Sequence, residues 1–128
     1  MNSDIAARTR RVSVAITRTR MEEGLAIVEF RVEELIQTTD TSRFKTEMVR
    51  LINEKKPKIL IINWAGIAVA GTDAFGVLLA LRRRLADWKG EVRLCNMNPL
   101  VLDGFAKCGL DRIFAVYADM KSARAGKK

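Results

Sequence analysis

The chain has 128 residues, 48% of them hydrophobic, enough to bury one core and too few for two, so a single domain is expected. Its net charge of +8 would suit a nucleic-acid binder, but the excess is terminal: residues 1–20 carry five Arg against one Asp, residues 119–128 carry four Lys or Arg against one Asp, and the 14 basic and 13 acidic side chains between nearly cancel. With no histidine, and with Cys95 and Cys108 thirteen positions apart, the composition excludes a Cys–His zinc site and histidine acid–base chemistry; both thiols are expected to be buried and reduced in a cytosolic protein.

In chain order, residues 1–11 read as a basic tail with Arg8, Arg10 and Arg11 and no apolar signal core. Residues 12–16 alternate weakly and predict a first strand, and residues 21–24 a turn. Residues 25–32 predict a second strand, in which Ile27, Val28, Phe30 and Val32 suit a sheet. The run Thr38-Thr39-Asp40-Thr41-Ser42 is rich in cap formers and is expected to precede an amphipathic helix with Phe44, Met48, Leu51 and Ile52 on one face. Lys55-Lys56 and then Pro57 end that helix, because proline has no N–H to continue the ladder. Residues 59–62, Ile-Leu-Ile-Ile, have the unbroken apolar character of a central strand covered on both faces.

After a small-residue loop, residues 73–88 predict a helix that is apolar nearly all round at its start (Phe75, Val77, Leu78, Leu79, Leu81) and amphipathic from Arg82-Arg83-Arg84 onward. Those arginines spread over about 200° of helix and make no single patch, so a solvated face is expected. Gly90 ends the helix. Residues 92–95 predict a strand, residues 99–107 a helix closed by Gly109, residues 113–117 a short last strand, residues 119–124 a terminal helix, and residues 125–128 a second basic tail. Alternation of strands and helices predicts an α/β sheet with helices on one side or both, and periodicity leaves a small flavodoxin-like sheet open. The apolar run over 60–81 has the length of a membrane span, but it contains internal glycines, Asn63 and Asp73, and an Asp near a bilayer centre costs about 3 kcal/mol. A strand, loop and helix explain it better.

Thr72 has a plain structural role as the N-cap of the second helix, accepting a hydrogen bond worth about 1 kcal/mol, with Asp73 favoured beside it by the helix dipole. Residues 58–85 also carry a resemblance. The apolar strand followed by Gly71-Thr72-Asp73-Ala74-Phe75-Gly76-Val77-Leu78-Leu79 is similar to the STAS domain of the anti-sigma-factor antagonist family, whose pattern is D-S-[ST]-G-L-G-V-L-L opening a helix. With Phe75-Gly76-Val77-Leu78-Leu79 on L-G-V-L-L, Thr72 falls on the residue that the family phosphorylates. The register continues without a gap through Trp88-Lys89-Gly90-Glu91, Asn98-Pro99 and Cys108-Gly109-Leu110-Asp111-Arg112, so the likeness covers residues 25–123. Gly71, Asp73 and Ala74 depart from the pattern, standing for an Asp, a second hydroxyl residue and a Gly. A rival register matches Asp73 to the family Asp and puts Ala74 at the acceptor, at the expense of the L-G-V-L-L match and a gap before Gly90.

The resemblance implies a single STAS-like α/β domain over residues 12–124, a four- or five-stranded mixed sheet with helices largely on one face. It implies a phosphoacceptor at Thr72 and a partner surface built from Gln37, Thr38, Thr39 and Asp40 together with Gly71, Thr72, Asp73 and Ala74; Gln37 falls near an acidic position of the family. Phe75 is expected in the core. The implied activity is non-catalytic: cytoplasmic binding of an anti-sigma factor or serine/threonine switch kinase, with release when the kinase's own ATP and Mg²⁺ phosphorylate Thr72, and no cofactor or metal in the protein itself. A phosphorylation-insensitive scaffold in a stress-signalling assembly and a nucleotide or lipid sensor at the same helix start are the alternatives. Residues 71–76 lack the Lys and Ser/Thr of a P-loop, there is no G-x-G-x-x-G, and no aromatic interleaves the N-terminal arginines, so neither catalysis nor nucleic-acid binding is expected; oligomeric state is left open.

Overall fold

A computed structural model describes residues 15–127, so the basic tail expected over 1–11, most of the strand expected over 12–16, and Lys128 lie outside the described residues. The long apolar strands decide the architecture. β2 (Leu25–Phe30), β4 (Ile59–Asn63) and β6 (Glu91–Cys95) pair in parallel, with Val28 opposite Ile62 and Ile62 opposite Leu94. An edge strand β1 (Thr17–Glu22) adds antiparallel to β2, and β7 (Ala115–Tyr117) adds parallel to β6, giving one five-stranded mixed sheet in the order β1-β2-β4-β6-β7. Leu60, Ile61 and Ile62 are all fully buried, as a strand covered on both faces requires.

Three helices lie on one face: α1 (Thr38–Lys55), α2 (Thr72–Leu85) and α3 (Pro99–Lys107). Their Phe44, Met48, Leu78, Leu81 and Phe105 share one core with Val28, Leu60, Ile62 and Leu94 of the sheet. The short α4 (Met120–Ala125) lies on the other face, where Ala123 packs with Ile61, Cys95 and Tyr117. Among the described residues, no helix is long and apolar enough to cross a membrane.

Several boundaries differ from expectation, each for a physical reason. β1 starts at Thr17 and runs through Met21 and Glu22, so the turn expected over 21–24 shrinks to Glu23-Gly24, both at positive φ (46° and 82°). Residues 18–21 are exposed on both faces of this edge strand, so side-chain alternation says little about where it begins. β2 ends at Phe30, and two strands of two residues each, β3 (Glu34–Leu35) and β5 (Val69–Ala70), pair in parallel outside the main sheet; neither is long enough to show a period. α1 begins at Thr38, so the cap-forming run is its first turn and does not precede it. Thr41 explains this: its hydroxyl donates to Gln37 O (2.7 Å), the carbonyl that its own N–H also uses (3.0 Å). The helix expected over 73–88 is α2 followed by a 3₁₀ turn at Ala86–Trp88. α3 has the expected bounds, with Asn98 accepting from Val101 N (2.8 Å), proline in its first turn, and Gly109 left-handed (φ 75°) just past its C-cap Cys108.

The cysteines divide, and the expectation that both are buried fails for one. Both are free, but Cys95 is buried and Cys108 is exposed at the end of α3, where it belongs to no core cluster. Burial, and secondarily the charge of Asp119, push the Cys95 thiol up to about 11 from 9.0. A thiol reagent is therefore expected to label Cys108 in the native protein and Cys95 only through unfolding. Between pH 9.0 and about 11 the unfolded thiol loses its proton and the folded one keeps it, so stability falls across that window. Denaturation midpoints compared with Cys95→Ala isolate this contribution; equal pH slopes in the two proteins would show that Cys95 is not the group responsible.

Candidate functional site

β4, the central strand, delivers the chain to the C-terminal end of the parallel strands, and residues 64–68 carry it toward α2. Trp64 is fully buried, Ile67 N donates to Trp64 O (3.0 Å), and the Asn98 amide donates to Ile67 O (3.0 Å) and Ala68 O (3.1 Å). β5 then pairs with β3, and Gly71 N donates to Leu35 O (2.9 Å). These bonds set Gly71 as the extended N-cap of α2 (φ −97°, ψ 174°) and make Thr72 its first helical residue. The expectation that Thr72 is the cap shifts by one position, and Thr72 makes no capping hydrogen bond with its side chain. A Cβ at residue 71 would meet only Leu35 O, at 3.8 Å, so the backbone there does not demand glycine.

α2 buries Ala74, Phe75, Val77, Leu78, Leu81 and Leu85, which leaves Thr72, Asp73 and Gly76 on its open face. Phe75 is in the core as expected. Ala74 is 0% exposed, so it does not belong to the surface to which the sequence reading assigned it. The rival register fares worse for the same reason, since it would put the acceptor at this sealed position.

Opposite this face stands the first half of α1. Thr38, Thr41, Ser42 and Lys45 on one side and Thr72, Asp73, Gly76 and Val77 on the other line an open cavity of about 350 Å³. The expected residue Thr38 thus meets Thr72 and Asp73 across a groove. Thr39 instead lines a neighbouring cavity along α1, which shares Ser42 with the groove and adds Arg43, Thr46, Glu47 and Arg50. Gln37, Asp40 and Gly71 lie next to the groove in sequence without lining it.

Sequence reasoning missed Ser42, Lys45 and Gly76. The signal was present, because 38, 41, 42 and 45 follow the spacing of one helical face, but it becomes readable only when α1 starts at Thr38. Gly76 adds no side chain to the groove, and a Cβ built there meets nothing within 4 Å, so the space beside it is open. Lys45 and Asp73 supply the groove's cation and anion, and neither forms an ion pair with a described residue.

Two large apolar side chains stand exposed on the elements that frame the start of α2. Ile36, directly after β3, is 48% exposed, and Leu100, in the first turn of α3, is 64% exposed. Ile36 and Leu100 thus add exposed apolar area to the end of the domain that carries the polar groove. Among the described residues, no cluster of His, Cys, Asp or Glu could hold a metal ion.

Residues 18–123 match the family model of the STAS domain. No curated protein matches the sequence. Among solved structures, the chain is similar to an anti-sigma factor antagonist from Mycobacterium paratuberculosis, at 18% identity over 86% of this chain and 91% of that one, with a TM-score of 0.76. It is similar to a STAS domain protein from Planctomyces limnophilus, at 16% identity over 89% of this chain and 98% of that one, with a TM-score of 0.78. It is similar to the Bacillus cell fate determinant SpoIIAA in the phosphorylated form, at 15% identity over 87% of this chain and 99% of that one, with a TM-score of 0.65. At these identities the likeness is one of fold.

Proposed function

The chain belongs to the STAS domain family, and from that premise we propose that it is a non-catalytic, cytoplasmic regulatory protein that binds an anti-sigma factor or a serine/threonine switch kinase and is released by phosphorylation at Thr72. The observation that carries this reading is the setting of Thr72: an exposed hydroxyl on the first residue of α2, at the mouth of the groove shared with Thr38, Ser42 and Lys45. The partner surface comprises Gln37, Thr38, Thr39 and Asp40 with Gly71, Thr72 and Asp73. A solved neighbour described as an anti-sigma factor antagonist, and another described as a cell fate determinant in its phosphorylated form, support the reading. A phosphate adds nearly two negative charges and three acceptor oxygens where a partner has to come close.

The test measures affinity for the switch kinase or anti-sigma factor encoded in the same genome, by calorimetry. Thr72→Glu is expected to weaken binding at least tenfold, about 1.4 kcal/mol, while Thr72→Ala binds as the native protein does. Mass spectrometry of the Thr72 peptide from native cells, before and after phosphatase, is expected to find the phosphate. Equal affinity of Thr72→Glu and the native protein would overturn the reading.

Asp73 favours a second reading, that of a scaffold insensitive to phosphorylation, because its exposed carboxylate already gives the α2 start part of the charge that a phosphate would bring. On that reading Asp73→Ser enlarges the effect of Thr72→Glu. An unchanged effect removes it.

A further inference from the structure

The groove between α1 and α2 is lined by one lysine and one carboxylate, Lys45 in the second turn of α1 and Asp73 in the first turn of α2, and the two are not joined in an ion pair. Of the hydroxyls lining it, that of Thr41 is already committed to Gln37 O, which leaves those of Thr38, Ser42 and Thr72 for anything that enters. A cation facing an acceptor hydroxyl across one cavity suggests a use beyond solubility.

We infer that Lys45 is the built-in counter-ion for a phosphate on Thr72, so that modification ties α1 to α2 and fills the groove that a partner would otherwise meet; this rests on the reading of Thr72 proposed above. In the covalent step a kinase transfers the γ-phosphoryl group of ATP to Thr72 Oγ1, releasing ADP and the hydroxyl proton. The product places nearly two negative charges beside Asp73. Among the described residues that line the groove, Lys45 is the cation that can offset this charge, from the facing wall and on a flexible four-carbon stem. Ser42 and Thr38 have hydroxyl protons to donate to the phosphate oxygens. Arg82, Arg83 and Arg84 cannot substitute, because ten or more residues of helix, about 15 Å, separate them from Thr72. Release of a partner then follows both from added charge and from closure of the groove between the two helices.

The experiment uses the full chain with phosphothreonine installed at position 72 by genetic encoding, and no partner. Phosphorus NMR follows the phosphate through its second protonation. In the native background the phosphate is expected to bind that proton roughly threefold more weakly than in Lys45→Met, because a nearby cation favours the dianion. The difference shrinks at high salt and Lys45→Arg restores it. Identical titrations of the native background and Lys45→Met would overturn the inference. Lys45 is exposed, so Lys45→Met is expected to fold normally, which circular dichroism checks. If Thr72→Glu leaves partner affinity untouched, that result counts against the proposed function and not against the pairing of Lys45 with the phosphate.

Discussion

Phe75→Ala is expected to lose about 3–5 kcal/mol of stability, a third or more of an ordinary domain's margin of about 5–15 kcal/mol unless that margin lies at its upper end. Phe75 is 3% exposed and stands mid-way along a row of ring contacts that crosses the domain. Its ring lies 5.2 Å from Phe105 at 77° and 6.5 Å from Trp64 at 53°. The row continues from Trp64 to Phe30 and Phe44, and from Phe105 to Phe114, so β2, α1, α2, α3 and the segment before β7 are joined through aromatic faces and edges. Removing the central ring leaves a void that α2 cannot fill by collapsing, because Ala74, Leu78 and Leu81 already hold the helix against the sheet. Phe75→Leu keeps much of the volume and is expected to cost less than half as much. Urea denaturation followed by circular dichroism gives both values. A loss below 1 kcal/mol for Phe75→Ala would show that the ring row is not a structural spine. The effect also bears on function: Phe75 sits one turn after Thr72, so the packing that stabilises the domain fixes where the Thr72 hydroxyl opens.

The parts of this fold that were legible in the sequence are those decided by local chemistry. Residues 99–107 had the correct bounds because Asn98-Pro99 and Gly109 are start and stop signals that need no tertiary context. β4 was legible because Ile-Leu-Ile-Ile has no polar face to offer solvent. β3 and β5 were not, since two residues carry no periodicity and these two find each other only after Gly71 N and Leu35 O are brought together by the chain around them. For the site, the motif placed the start of α2 to within one residue, with Gly71 as the cap in place of Thr72, but the groove depends on a second helix that sequence spacing placed a few residues too late. That displacement hid Ser42 and Lys45. It is also why Thr38 and Thr39, neighbours in sequence, were assigned to one surface although they line two different cavities along α1. Cys108 escaped for a different reason: small apolar residues near a helix end are buried or exposed according to what packs over them, which composition does not record.

Glu47→Ala is expected to be the next most damaging change, at about 2 kcal/mol, although glutamate on a helix is ordinarily replaceable. Glu47 projects from α1 toward the start of β1, where Oε2 accepts from Ile16 N (2.9 Å) and Oε1 accepts from Thr17 N (2.9 Å) and from the Thr17 hydroxyl. Thr17 is 8% exposed, so water cannot fully replace the carboxylate when it is removed. Among the described residues β1 has only β2 as a strand partner in the main sheet, and its residues 18–21 are exposed, so little apolar burial holds it in place. One carboxylate taking three donors therefore secures the edge strand to the helix that forms one wall of the groove. Glu47→Gln is not a conservative replacement, because its amide nitrogen turns a donor toward the backbone N–H or hydroxyl that one oxygen used to accept; it is expected to cost about half as much as the alanine. Hydrogen exchange separates this from a general loss of stability. The amides of Ile16, Thr17 and Arg31, the last of which donates to Ile16 O (2.7 Å), should exchange faster in Glu47→Ala while those of β4 keep their protection relative to global stability. If all amides accelerate together, or if Ile16 and Thr17 are unaffected, the carboxylate is not the anchor of β1.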